Sequence, residues 1–171
     1  MTSIKRAAVL IPLYKENLSD SEWFSVRNTF SVLANWDVIF VIPERMKRWA
    51  LEGVINKLDP IGCHCFPDFY FESVDGYNRL LLSKKFYKSF EEYEYILIVQ
   101  PDALVISDQL NYWCDIGYSY VGAPWFLGYG KPVEPPTMIG VGNGGFSLRK
   151  TGLRLARSAC VQLGRKCSSV A

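Results

Sequence analysis

Three short apolar runs, each stopped at a proline, constrain this chain more than any other feature. They are Ala7–Ile11 before Pro12, Val38–Ile42 before Pro43, and Ile96–Val99 before Gln100-Pro101. Short β-branched runs bounded by breakers read as strands buried on both faces. Such strands lie inside a sheet that is covered by helices. Proline has no N–H to give a ladder, so each strand should end where its proline stands. Within the stretch Tyr95 to Asp108, Asp102 then falls just beyond the carboxyl end of the third run. Open α/β sheets bind ligands at that edge. A carboxylate placed there holds either a cation or a sugar hydroxyl, or it is an ordinary turn-forming or helix-capping Asp.

Between the runs the sequence turns helical. Ser19 and Glu22 have capping-box spacing, with Leu18 and Trp23 as the staple. Trp23, Val26, Phe30 and Leu33 form the buried stripe of that first helix. A second helix is expected from about Glu44 to Leu58, broken by Asp59-Pro60-Ile61-Gly62. Cys63–Phe66 reads as a short third strand, Pro67–Asp75 as an aromatic loop, and Gly76–Tyr93 as one long helix feeding Tyr95. Right-handed crossovers between such units give a parallel sheet. The expected fold is therefore α/β, a mostly parallel central sheet flanked by helices, with residues 1–171 in a single domain. Beyond Asp108 the chain is aromatic, then Gly/Pro-rich over Gly128–Pro136. Phe146–Leu148 looks like a strand, and Lys150–Leu163 like a last helix.

Composition narrows the function. The chain is 49% hydrophobic and 15% aromatic, with a net charge of +2. It is globular, and that charge gives no footprint for nucleic acid. The five cysteines are odd in number and fit no zinc spacing. In Cys63-His64-Cys65 the thiols are expected to face inward and His64 outward. Reduced thiols point to the cytoplasm. The apolar run at Ala7–Ile11 is too short for a signal peptide or a membrane span. That leaves peripheral association as the form of any membrane contact. The single histidine, His64, provides no Ser or Cys triad.

Four segments fall at the expected ligand edge: Pro12–Asn17, Pro43-Glu44, Gln100–Asp102 and Gly140–Gly145. The last contains Gly142-Asn143-Gly144-Gly145. It comes too late for a dinucleotide fingerprint and lacks the Lys-Ser/Thr of a phosphate loop. Its glycines permit either close approach of a bulky ligand or a tight turn or bulge. Trp113, Trp125, Phe126 and Tyr129 present faces to a sugar or pack in the core, and Trp125 after Pro124 is the best sugar-stacking candidate.

Five pieces carry a resemblance: Ile11–Lys15, Gly76–Tyr87, Tyr95–Ala103, Tyr120–Trp125 and Gly142–Arg149. With them the chain resembles the glycosyltransferase-like family DUF5672 and has the look of the A-type glycosyltransferase fold. The resemblance implies transfer of a sugar from a nucleotide-sugar donor to a glycan or polysaccharide acceptor. It places Pro12, Tyr14, Lys15 and Glu44 along the nucleotide, and Asn78 and Lys84 toward the nucleotide or its diphosphate. Gly144 and Gly145, beside Asn143, would border the sugars. Asp102 matches the last Asp of the Asp-x-Asp element that holds Mn²⁺ or Mg²⁺, with Gln100 in place of the first. Asp102 is thus the implied catalytic and metal-binding residue. In a metal-free version Lys15, Lys84 or Arg149 would stabilise the leaving diphosphate. Relatives carry a Glu-Asp pair downstream of the Gly-Gly-Phe-Ser-Leu-Arg strand, whereas nothing acidic follows Glu134 here. The expectation is a copy truncated at its carboxyl end. Its alternative function is a catalytically weak or inactive binding module for a nucleotide sugar or glycan.

Overall fold

A computed structural model of the chain describes residues 4–47, 58, 60, 62–128, 131 and 133–152. These contain strands β1 (Lys5–Pro12), β2 (Asp37–Pro43), β3 (Gly62–Phe66), β4 (Tyr93–Val99), β5 (Tyr120–Phe126) and β6 (Met138–Lys150). The helices are α1 (Asp20–Val32), α2 (Val74–Leu82), α3 (Lys84–Lys88) and α4 (Leu110–Ile116), with 3₁₀ turns at Glu44–Met46 and Asp68–Phe71.

The strands form one six-stranded sheet in the order β3-β2-β1-β4-β6-β5. The proline-stopped runs pair in parallel, Val9 with Val38 and with Leu97. β3 continues that parallel pairing on β2. β6, however, runs antiparallel to both of its neighbours. The sheet is therefore mixed, which corrects the mostly parallel expectation. The physical reason is that β5 and β6 carry no continuous apolar run. They are antiparallel partners that can leave part of a face to solvent.

Side chains of the buried strands alternate between two cores. Val9, Ile11, Phe40, Ile42, Leu97 and Val99 pack with α1 and α4 through Val26, Leu33 and Leu110. Leu10, Ile39, Val41, Ile96 and Ile98 face the other way, onto Leu80, Leu81, Phe86 and Phe90 of the α2–α3 region. This period of two is the geometry of a pleated strand covered on both sides.

Local chemistry explains the ends of the elements. Ser19 accepts from the backbone of Glu22, and the Glu22 carboxylate accepts from Ser19, so the expected capping box starts α1. The expected long helix from Gly76 to Tyr93 is two helices. Ser83 takes an extended conformation, ends α2, and accepts from Phe86 N–H to start α3. A serine that bonds its own backbone competes with helix continuation. Cys63 and Cys65 pack against the α1-side core as expected. His64 is not turned out to water. Its ring packs at a tilt against Phe90, centroids 4.6 Å apart, and burial pushes its pKa down. β6 extends well beyond the expected Phe146–Leu148, and α4 was not anticipated. Of the expected second helix, residues 48–57 lie outside the described residues, as do residues 153–163 of the expected last helix.

Candidate functional site

The carboxyl ends of β1 and β4 open into a cavity of about 1050 Å³. Its far wall is α2, and its near wall is β6. Three local devices shape it.

The first is the turn after β4. Gln100 N–H donates to Gly145 O at 2.8 Å, and Ala103 N–H donates back to Gln100 O at 2.9 Å. Asp102 is thereby pinned, exposed, beside the glycine strand. The following loop is tied down by α1: Ser25 bonds Ala103 O, and Asn28 Nδ2 donates to Val105 O at 2.6 Å.

The second device is a bulge in β6. Ser147 faces Gly122, yet Asn143 faces Ala123, the next residue of β5. Residues 144–146 are looped out between two consecutive partners. A bulge re-aims its strand, and glycine suits it. The bulge alternative for the glycines is what the register shows, and Gly142, Gly144 and Gly145 also line the cavity.

The third device is the seat of α2. A Cβ at Gly76 would lie 2.6 Å from Phe69 O, so only glycine lets the first turn of α2 sit on the Asp68–Phe71 turn. That brings Tyr77, Asn78 and Arg79 onto the cavity.

The structure brings together Pro12, Tyr14, Asn78 and Gln100 from the expected set. It adds Asp102, Trp125, Gly144 and Gly145 to the same lining. Asn143 lies on β6 opposite Ala123. Lys15, Glu44 and Lys84 are not among the lining residues. Lys15 Nζ is 2.9 Å from Glu22, which itself lines the cavity. The hydrogen bond from Lys15 is the largest influence holding the Glu22 carboxyl below its ordinary value. Glu44 is exposed on the turn after β2, and Lys84 is exposed at the start of α3. The neighbouring Arg45 instead reaches the loop, donating from Nη2 to Tyr14 O at 3.1 Å.

Several lining residues were not singled out from the sequence. Tyr77, Arg79 and Tyr120 are among them, with Glu72 and Asp75 at the mouth. Tyr77 and Arg79 flank Asn78 in the Gly76–Tyr87 piece, and that adjacency was the available signal. Burial pushes the Tyr77 hydroxyl up to about 12, against opposing influences from Arg149 and Gln100, so it stays neutral at physiological pH.

The donor set does not suit a resident divalent ion. Among the described residues, no three His, Cys, Asp or Glu side chains gather closely enough to hold one. Asp102 offers a single carboxylate, and Gln100 beside it brings no charge. Also among the described residues, no helix is long and apolar enough to cross a membrane.

Fold and site together define an α/β domain with a large cavity at the carboxyl edge of its parallel strands. The chain belongs to the family described as proteins of unknown function, DUF5672, whose model matches residues 60–162. That span contains β3 to β6 but not the Ile11–Lys15 piece. Among solved structures the chain is similar to 4-diphosphocytidyl-2C-methyl-D-erythritol synthase from Anaerococcus prevotii. The TM-score is 0.53 and the identity 10%, over 98% of this chain and 80% of that one. At that identity the likeness concerns the fold. No curated protein matches the chain.

Proposed function

We propose that this domain is a nucleotide-sugar-dependent glycosyltransferase of the hexosyltransferase type, moving a sugar onto a glycan or polysaccharide acceptor. The observation that carries the reading is the composition of the cavity wall. One edge of the sheet joins an exposed carboxylate (Asp102), an aromatic face (Trp125) and a glycine bulge that lets a bulky ligand approach the backbone. At about 1050 Å³ the cavity lies just above the usual range for ligand pockets, roughly 300–1,000 Å³. The fold neighbour is named for a diphosphocytidyl product, and a nucleotide diphosphate is the ligand class proposed here.

In this reading the nucleotide lies along Pro12 and Tyr14, and the sugar stacks on Trp125. The acceptor hydroxyl attacks the anomeric carbon, and the bond from that carbon to the diphosphate breaks. Asp102 takes the hydroxyl proton, a role that contributes about 10²–10⁴-fold in positioned acids and bases. A Mn²⁺ or Mg²⁺ ion would find Asp102 as its one carboxylate on that turn, and no step is assigned to it. The work would take place in the cytoplasm, with peripheral attachment to a membrane where the acceptor is lipid-linked.

Asp102→Asn tests the assignment. Transfer from the donor that binds should fall by about 100-fold or more, with donor affinity nearly unchanged. Undiminished transfer removes Asp102 from the reaction. If the native chain binds a donor and never transfers it, the domain is a binding module.

A further inference from the structure

Arg149 is only 6% exposed, yet it lines the cavity. Buried arginines are rarely left without a carboxylate. Among the described residues Arg149 forms no ion pair. Its Nε donates to Ser147 Oγ at 3.1 Å, and its Nη1 donates to Tyr87 Oη at 3.2 Å and, more loosely, to Leu81 O at 3.4 Å. The ring of Tyr120 lies 5.4 Å from the guanidinium carbon.

Each of these partners is neutral. Ser147 Oγ–H donates to Gly144 O at 3.2 Å, which turns a lone pair toward Nε. Tyr87 donates to Leu81 O at 3.0 Å and so presents its lone pair to Nη1. These bonds fix the fork through Nε and Nη1 without cancelling its charge. A guanidinium does not shed its proton to relieve burial, as an ammonium can. The result is a fixed cation at the cavity wall, uncompensated among the described residues. A Cβ at Gly144 would lie 3.2 Å from Nη2, so the glycine of the bulge is also what leaves this group its room.

A simpler role would be a clamp from β6 to the last turn of α2 through Leu81 O. That accounts for the longest of the contacts. It does not account for a full charge, because a neutral amide could bond the same carbonyl. The other candidate cations lack these properties. Lys15 is paired with Glu22, Lys84 stands off the cavity, and Arg79 is exposed at its mouth.

We propose that Arg149 is the anion receptor of the cavity, and that it holds the diphosphate of a nucleotide ligand in the place a divalent cation would otherwise take. The identity of the ligand rests on the transferase reading above. As the acceptor oxygen bonds the anomeric carbon and the carbon–diphosphate bond breaks, the electron pair goes to the terminal phosphate oxygen. Arg149 offsets that charge while the acceptor proton goes to Asp102. Fixed donors aimed at developing charge are an effective form of stabilisation in a water-poor site.

The test is calorimetric titration of the full chain with the common ribonucleoside diphosphates and inorganic pyrophosphate, in EDTA and in Mn²⁺. One nucleoside diphosphate should bind in EDTA. Arg149→Gln should weaken it by about 100-fold, the scale of losing charge-assisted bonds. Arg149→Lys, which keeps the charge but not the fork, should lose about 10-fold. Lys84→Gln should leave affinity unchanged. Circular dichroism and melting confirm that the variants fold, and where Arg149→Gln does not, the Lys variant decides. Binding that survives in a folded Arg149 variant at native strength overturns the assignment and leaves the transferase reading standing. Binding only with Mn²⁺ does the same. No binding of any nucleotide under either condition overturns both.

Discussion

The two sides of the sheet are built on different principles. On one side β1, β2 and β4 are apolar, parallel and almost wholly buried, with half-buried β3 paired in parallel at the edge. In β5 and β6 the strands are antiparallel, rich in glycine and aromatics, and largely open along the cavity. The first side supplies cohesion, and the second supplies a shaped wall. The packed core and the cavity wall are therefore separated in space. The separation also runs along the strands. At the amino edge, Lys5, Asp37 and Tyr93 tie β1, β2 and β4 together, with Asp37 accepting at 2.7 Å and 2.8 Å. The cavity lies at the opposite, carboxyl edge.

Core substitutions should break this contrast most visibly if it is wrong. Ile96 is fully buried between β1 and β6 and packs on the α2–α3 side. Ile96→Ala should lower stability by about 2–5 kcal/mol. Val141 on β6 is 37% exposed, so Val141→Ala should stay within about 0.5 kcal/mol. Urea unfolding of the pair checks both, and equal losses would mean that the hairpin side is as cohesive as the parallel side.

The amino edge gives a smaller effect with a pH signature. Burial pushes the Asp37 carboxyl up, but the bonds from Lys5 and Tyr93 outweigh it and hold the group below its ordinary 3.8. A carboxyl depressed in the folded state stabilises above its unfolded value, and the gain is lost as pH falls through the folded one. Asp37→Asn should therefore be less stable than the native chain at pH 7, with the gap closing below about pH 4. Its ligand affinity should not change. A gap that persists at low pH would assign the loss to packing, and a change in affinity would couple the two edges.

The same contrast decides what was legible in the sequence. Ala7–Ile11, Val38–Ile42 and Ile96–Val99 announced the parallel strands because burial on both faces demands unbroken apolar residues. Ser19 and Glu22 announced α1 through a local hydrogen-bond pattern. Asp102 could be placed because Pro101 ends a strand. The reversed direction of β6 was not legible, since its pairing depends on partners far away in the chain. Ser83 gave only a local serine, and its extended conformation split the expected helix. Lys15 looked like a free cation until Glu22, already assigned to a cap, proved to lie beside it. Arg149 could be named as one of several cations. Its lack of a carboxylate partner among the described residues emerged only when the fold had set Ser147, Tyr87 and Tyr120 around it.

The proposed transferase activity requires the carboxyl edge of the sheet to bind a nucleotide sugar. The most direct measurement is the melting temperature of the chain against a panel of nucleotide sugars, each in EDTA and in Mn²⁺. A ligand at about 100 times its Kd adds roughly 2.7 kcal/mol, or about 5–10 °C for a chain of this size. Such a rise is expected with one nucleotide class, already present in EDTA. No rise with any nucleotide sugar under either condition would contradict it.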